Sequence, residues 1–354
     1  MRRARTSRLT IGLILLAALV FQPSPARATF PGANGMFAVQ VESGPYRDQI
    51  VILNPDGSFD HYFPFFEDVH HEDPNWSPDG RWIAFLYDDV ITVARPDGGD
   101  LARLSEGSTP RWSPDQSQIL FNSGRDGNGE VYVMNSNGSG QTNLTKNPAF
   151  DGGAEWAPDG SKIAFWSRRD ASGENLYTMN ADGSGQIKVT RDIFRGFHYR
   201  EAPFSWSPDS GRIAFFASRS RRGATDIFSV REDGTDRQRL TQDPANDIGP
   251  VWGPDGRIAF ASNRGSVTTC GRDCNYEIYL MDSDGGHVTR LTNDPEISIP
   301  LQWSPDGTQI LFTQFDPFGH NWLYVMNADG SGVFPLETRD DLNYAMDWQP
   351  IPPG

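Results

Sequence analysis

The chain has little of several things that would direct its reading elsewhere. Its 354 residues include two cysteines, Cys270 and Cys274, and six histidines. A structural zinc site needs four ligands, and no second pair stands near these cysteines. Basic residues are outnumbered, 31 Lys and Arg against 46 Asp and Glu, for a net charge of −15. That balance argues against nucleic acid as a partner, because phosphate contacts need a basic surface. A long helical period is missing throughout. The 36 glycines and 26 prolines are too many for a helical bundle. Beyond the first 28 residues no apolar run is long enough to cross a bilayer as a helix.

The first 28 residues read as an export signal. Arg2, Arg3, Arg5 and Arg8 form a basic segment, Ile11 to Phe21 is an uncharged apolar run, and Ala26-Arg27-Ala28 is a small-residue cleavage site. Its removal takes away five arginines and no acid, so the net charge moves to −20. Export to the periplasm or the extracellular space is therefore expected, by either the Sec or the twin-arginine route. An oxidising compartment makes a short local disulfide between Cys270 and Cys274 plausible.

What the chain does have is a repeat. Trp76-Ser77-Pro78-Asp79-Gly80 is followed by Ile83-Ala84-Phe85. Related units start at Trp112, Trp156, Trp206, Trp252 and Trp303, and a worn copy, Trp348-Gln349-Pro350, closes the series. A second motif counts independently. Polar-Gly turns follow short β-branched and aromatic runs at Asp56-Gly57, Asp97-Gly98, Asn137-Gly138, Asp182-Gly183, Asp233-Gly234, Asp284-Gly285 and Asp329-Gly330. Such dipeptides between apolar runs are strong hairpin signals, since both turn residues tolerate positive φ. Each unit then reads as four antiparallel strands, A to D. In the fourth, strand A ends at Trp156, B is 163–166, C is 176–180 and D is 187–190. Four strands per repeat of this length predict a propeller blade.

The first unit lacks a strand A, whereas the C-terminal segment 345–349 offers one with nothing after it. Pairing the two predicts an all-β, seven-bladed propeller of four-stranded antiparallel sheets, closed by its own N- and C-terminal strands. Six blades would leave one hairpin motif unexplained. The expected domains are a cleaved signal peptide at 1–28 and a single propeller at 29–354, and a closed ring is expected to be a monomer. The repeated Trp, Pro and Asp read as scaffold: the indole fills the space between sheets, and Pro and Asp set turns.

The unit Trp-Ser-Pro-Asp-Gly, Ile-Ala-Phe, then Ile-Tyr-x-Met-Asn-x-Asp-Gly and Leu-Thr resembles the TolB-type, WD-repeat-like β-propeller repeat. Asn175 to Thr190 and Trp322 to Gly332 carry its second half. The resemblance runs from about 31 to 350. It implies a propeller fold, and among functions it implies several: protein binding at the cell envelope, gating of serine peptidases, or oligogalacturonate cleavage. The chain departs from TolB in the expected blade number and in having no α/β domain before the propeller. It departs from the peptidases in lacking a Gly-x-Ser-x-Gly elbow.

Alternation of strands puts the short, uniform A–B and C–D turns on one face and the variable B–C and D–A loops on the other. Binding residues concentrate on variable loops held by a rigid frame. The D–A loops are acidic. Five residues before a motif Trp stand His71, Asp151, Glu201 and Asp247, and one before it stand Glu155 and Asp347. Glu72 and Asp73 add to the first of these loops, and His198 lies in another. These residues are the candidate ligand-binding set at the channel mouth. No cofactor is expected except that convergent carboxylates suit Ca²⁺ or another divalent cation; they also suit a basic peptide, and a solvated acidic rim is the plainer alternative. The B–C loops carry Arg125, Arg168, Arg169, Arg219, Arg221, Arg222, Arg264 and Arg272, which predicts a basic periphery. The expected function is an exported, non-catalytic propeller that recognises a protein, peptide or envelope component on the B–C/D–A face. The alternative is a metal-assisted lyase or hydrolase acting on carbohydrate, built on His71, His198 and nearby carboxylates.

Overall fold

In the computed structural model the chain is all-β. The structure describes residues 32–42, 48–63, 70–170, 173–190, 204–218, 224–265, 275–316, 320–338 and 343–352. Seven four-stranded antiparallel sheets form the blades, and no helix occurs among the described residues. The first sheet has strand A from the C-terminus, Asn343–Ile351, followed by Ala33–Glu42, Asp48–Leu53 and Phe59–Tyr62. The other six are each continuous in sequence, with innermost strands His71–Trp76, Ser108–Trp112, Asp151–Trp156, Phe204–Trp206, Asp247–Trp252 and Ile297–Trp303. Closure by the two chain ends is thus present. Phe37 lies opposite Trp348, Ala38 opposite Asp347 and Val39 opposite Met346.

The core is divided into seven apolar layers, one between each pair of neighbouring sheets, and each layer holds one motif tryptophan. Trp76 packs with Ile50, Ile52 and Phe63 of the first sheet and Phe85 of its own. Trp112, Trp156, Trp206, Trp252, Trp303 and Trp348 occupy the next six layers. All seven indoles are buried. A flat side chain of this size spans the gap between two pleated sheets, which is why the repeat keeps it.

The turn residues are consumed by the turns. Ser77 donates its hydroxyl to Asp79 at 2.6 Å and accepts the N–H of Trp82 at 3.0 Å, while Asp79 accepts the N–H of Arg81. Ser113, Ser207 and Ser304 repeat the pattern. On the outer half of each sheet, Thr145, Thr190, Thr241 and Thr292 accept the N–H of Val131, Leu176, Ile227 and Ile278 at 2.9–3.1 Å. These threonines tie the end of strand D back to strand C.

The fourth sheet departs from the sequence reading in length. Its central hairpin runs through Lys162–Asp170 and Gly173–Asn180, longer at the loop end than hydrophobic periodicity suggests. The extra pairs are polar, so the apolar pattern does not mark them. Strand A carries a β-bulge in most sheets. The bulged residue has positive φ at Asp73 (54°), Thr109 (51°), Gly153 (59°) and Gly249 (57°). A bulge re-aims the side chains around it, and here it does so beside the innermost residues of each blade.

Candidate functional site

The residue immediately before each motif tryptophan sits on the innermost strand. Read around the ring these are Asp347, Asn75, Arg111, Glu155, Ser205, Val251 and Gln302. They fasten one sheet to the next. Asp347 accepts the backbone N–H of Trp76 at 2.7 Å and the amides of Asn75 at 2.8 Å and Gln302 at 3.0 Å. Asn75 accepts the N–H of Trp112, and Ser205 that of Trp252. Arg111 lies buried between Glu155 (2.8 Å) and Asp73 (3.3 Å). Burial alone would ease its proton off, but Asp73, Glu155 and Asp347 together outweigh it and hold the guanidinium charged.

Five of the sequence candidates are therefore part of the frame. Asp73, Glu155 and Asp347 belong to this inner polar ring. Asp151 and Asp247 are fully buried, and each meets an arginine from its own B–C hairpin, Arg169 at 2.7 Å and Arg264 at 2.9 Å. Those arginines are not a loose basic periphery. Arg169 also bonds Ser167 and lies over Phe165 and Tyr177; Arg264 bonds Ser262 and lies over Phe260 and Tyr279. Arg125 is stacked likewise over Phe121 and Tyr132. Arg168, in contrast, is exposed, beside Glu174 and 5.0 Å over the ring of Phe150. His198, Glu201, Arg219, Arg221, Arg222, Arg272, Cys270 and Cys274 lie outside the described residues.

The two adjacent histidines part company, as strand geometry requires. His71 is buried against Phe85 and Tyr87, and burial pulls its pKa down to about 4, so the imidazole is neutral at pH 7. His70 faces the loops instead. There it joins Asp48, the first residue of strand C in the neighbouring sheet, and Glu72. Donor atoms of these three residues lie within 4.8 Å of one another. They line a pocket of about 330 Å³ with Leu86, Asp88 and Asp89, between the first and second sheets on the B–C/D–A face. Glu72 is placed opposite Leu86 by strand pairing, and Asp88 is held against His70 by donating its N–H to the His70 carbonyl and accepting the His70 N–H on its carboxylate. Burial, with Asp48 alongside, pushes the Glu72 carboxyl up to about 7.

Arg111, Asn75, Gln302 and Asp48 were not among the sequence candidates. The first three were recoverable, because they occupy the same repeat position as Glu155 and Asp347. Asp48 was not, since no local signal shows that the start of strand C in one blade faces the D–A loop leading into the next.

Residues 71–202 match the family model described as the TolB beta propeller domain. An uncharacterized protein of Agrobacterium fabrum is 29% identical over 70% of this chain and 85% of its own length. The Tol-Pal system protein TolB of Alcanivorax borkumensis is 32% identical over 93 residues, 26% of this chain and 21% of that protein. The chain thus spans about a fifth of that relative's length. Among solved structures, an oligogalacturonate lyase from Vibrio parahaemolyticus superposes with a TM-score of 0.63 at 12% identity, covering 86% of this chain and 89% of the lyase. At that identity the likeness is one of fold.

Proposed function

With the chain a TolB-type β-propeller, we propose that it is an exported binding protein without catalytic activity, and that it takes a protein, peptide or envelope component on its B–C/D–A face. The observation that carries this reading is Phe150. It stands 44% exposed in the D–A loop before the fourth sheet, with the Arg168 guanidinium stacked on it from the B–C loop. Aromatic residues and arginine are the side chains enriched at the cores of protein interfaces. The opposite face supports the assignment by contrast, because its Ser and Asp side chains are spent on closing their own turns. The export half of the reading rests on residues 1–28, and the mature chain should begin at Thr29 when its N-terminus is sequenced.

Cross-linking and recovery of partners from envelope extract tests the face. Recovery should fall sharply for the Phe150→Ala/Arg168→Glu double variant. It should not fall for Val333→Ser, an exposed apolar position beside a C–D turn. Equal recovery by both variants would remove the B–C/D–A face as the docking surface.

A further inference from the structure

Most buried carboxylates among the described residues are neutralised by arginine. Asp151, Asp226, Asp247, Glu155 and Glu277 meet Arg169, Arg239, Arg264, Arg111 and Arg290 at 2.7–2.9 Å. The pocket between the first two sheets is built differently, from half-buried Asp48 and Glu72 and exposed Asp88 and Asp89. Asp48, Glu72, Asp88 and Asp89 converge there, and among the described residues none has a lysine or arginine ion pair. The one basic group facing them is the His70 imidazole, whose Nδ1 lies 3.7 Å from Asp48 Oδ2. Asp48, His70 and Glu72 thus turn their donor atoms into one recess from two neighbouring sheets, with Asp88 and Asp89 at its solvent-exposed rim.

We propose that this pocket binds one divalent first-row metal ion through Asp48, His70 and Glu72. His70 Nδ1 and Asp48 Oδ2 stand 3.7 Å apart, and all three donors lie within 4.8 Å, close to the spacing of about 3–4 Å for ligands held at about 2.0–2.2 Å from one metal. One imidazole nitrogen with two carboxylates suits manganese or zinc, whereas calcium prefers oxygen alone. Asp48 comes from one sheet and His70 and Glu72 from the next, so the ion would cross-link two blades. Leu86 closes one wall, and Asp88 and Asp89 supply outer charge. The site lies apart from His71, which is packed in the sheet, and it needs no partner protein, so its fate is separate from that of the docking reading.

The test uses the full chain freed of metal by chelation and then titrated with Mn²⁺ by calorimetry. One equivalent should bind saturably and raise the melting temperature. Asp48→Asn, His70→Ala and Glu72→Gln should each weaken binding by about tenfold or more. His287→Ala should leave it unchanged, because His287 pairs with Asp282 on the opposite face. Electron spin-echo spectroscopy of the Mn²⁺-loaded wild-type chain should show coupling to an imidazole nitrogen that His70→Ala abolishes, a readout that does not depend on how well the other variants fold. Absence of saturable binding, binding untouched by the three variants, or a wild-type spectrum without nitrogen coupling would each overturn the proposal. So would a pocket that takes an arginine- or lysine-containing peptide while ignoring Mn²⁺.

Discussion

Arg111 shows how one side chain can set the character of a whole interior. It is the only cation in the described inner ring, and two carboxylates depend on it. Removing one partner of a buried ion pair leaves the other charged and unsolvated, at a cost of about 3–5 kcal/mol. Arg111→Ala should lose that much stability in urea unfolding; a loss near zero would mean the ring is solvated. Asp294 offers a pH signature. Burial, then Glu277 and Glu296, raises its pKa from 3.8 to about 6. The folded chain therefore holds this proton more tightly than the unfolded chain. Its contribution to stability is full below about pH 4 and is lost as the pH rises through about 6. Asp294→Asn should flatten this part of the profile, read as melting temperature between pH 4 and pH 7.

At the scale of the element, the same A–B turn is built six times with local exceptions, and the exceptions have physical causes. Ser207 serves both Asp209 and the N–H of Arg212. Ser207→Ala should destabilise the chain by about 1–2 kcal/mol, because a backbone donor loses its acceptor. The sixth sheet has Gly253, and the fourth Ala157, where the other four have serine. A Cβ there would come within 2.7 Å of the Trp303 ring. Restoring the repeat with Gly253→Ser should therefore destabilise, by about 1–3 kcal/mol, rather than help; thermal melts of the two variants check both signs. The strands and turns themselves were legible in sequence because period-two apolar runs and Asp-Gly dipeptides report directly on backbone geometry. The bulges at Asp73 and Thr109 were not, since no local signal marks an extra residue in a strand. That gap hid how the inner ring is assembled. It also left the stacking of Arg169 and Arg264 unseen, because a loop arginine that folds back over Phe and Tyr looks, in sequence, like one that faces water.

At the scale of the molecule, blade number and closure followed from counting repeats, and the site did not. Asp48 and Glu72 are 24 positions apart on different blades, and His70 was outranked by its buried neighbour His71. Only the packing of one blade against the next puts them together. Closure itself makes a prediction. Truncation after residue 342 removes strand A of the first sheet, with Trp348 and Asp347. It exposes the apolar layer shared by the first and seventh sheets and frees a strand edge. The truncated chain should melt at markedly lower temperature and be cut readily by protease; unchanged resistance would mean that the terminal strand is dispensable.

The same clasp imposes an order of events on biosynthesis. A polypeptide made from its N-terminus can lay down six sheets as it emerges, but the first must wait, one strand short, for the last dozen residues. Until they arrive, Trp76 and Asn75 have no Asp347 to bond. Maturation is thus gated by the arrival of the closing strand: the first sheet is complete only once Asn343–Ile351 can reach back to Ala33–Glu42.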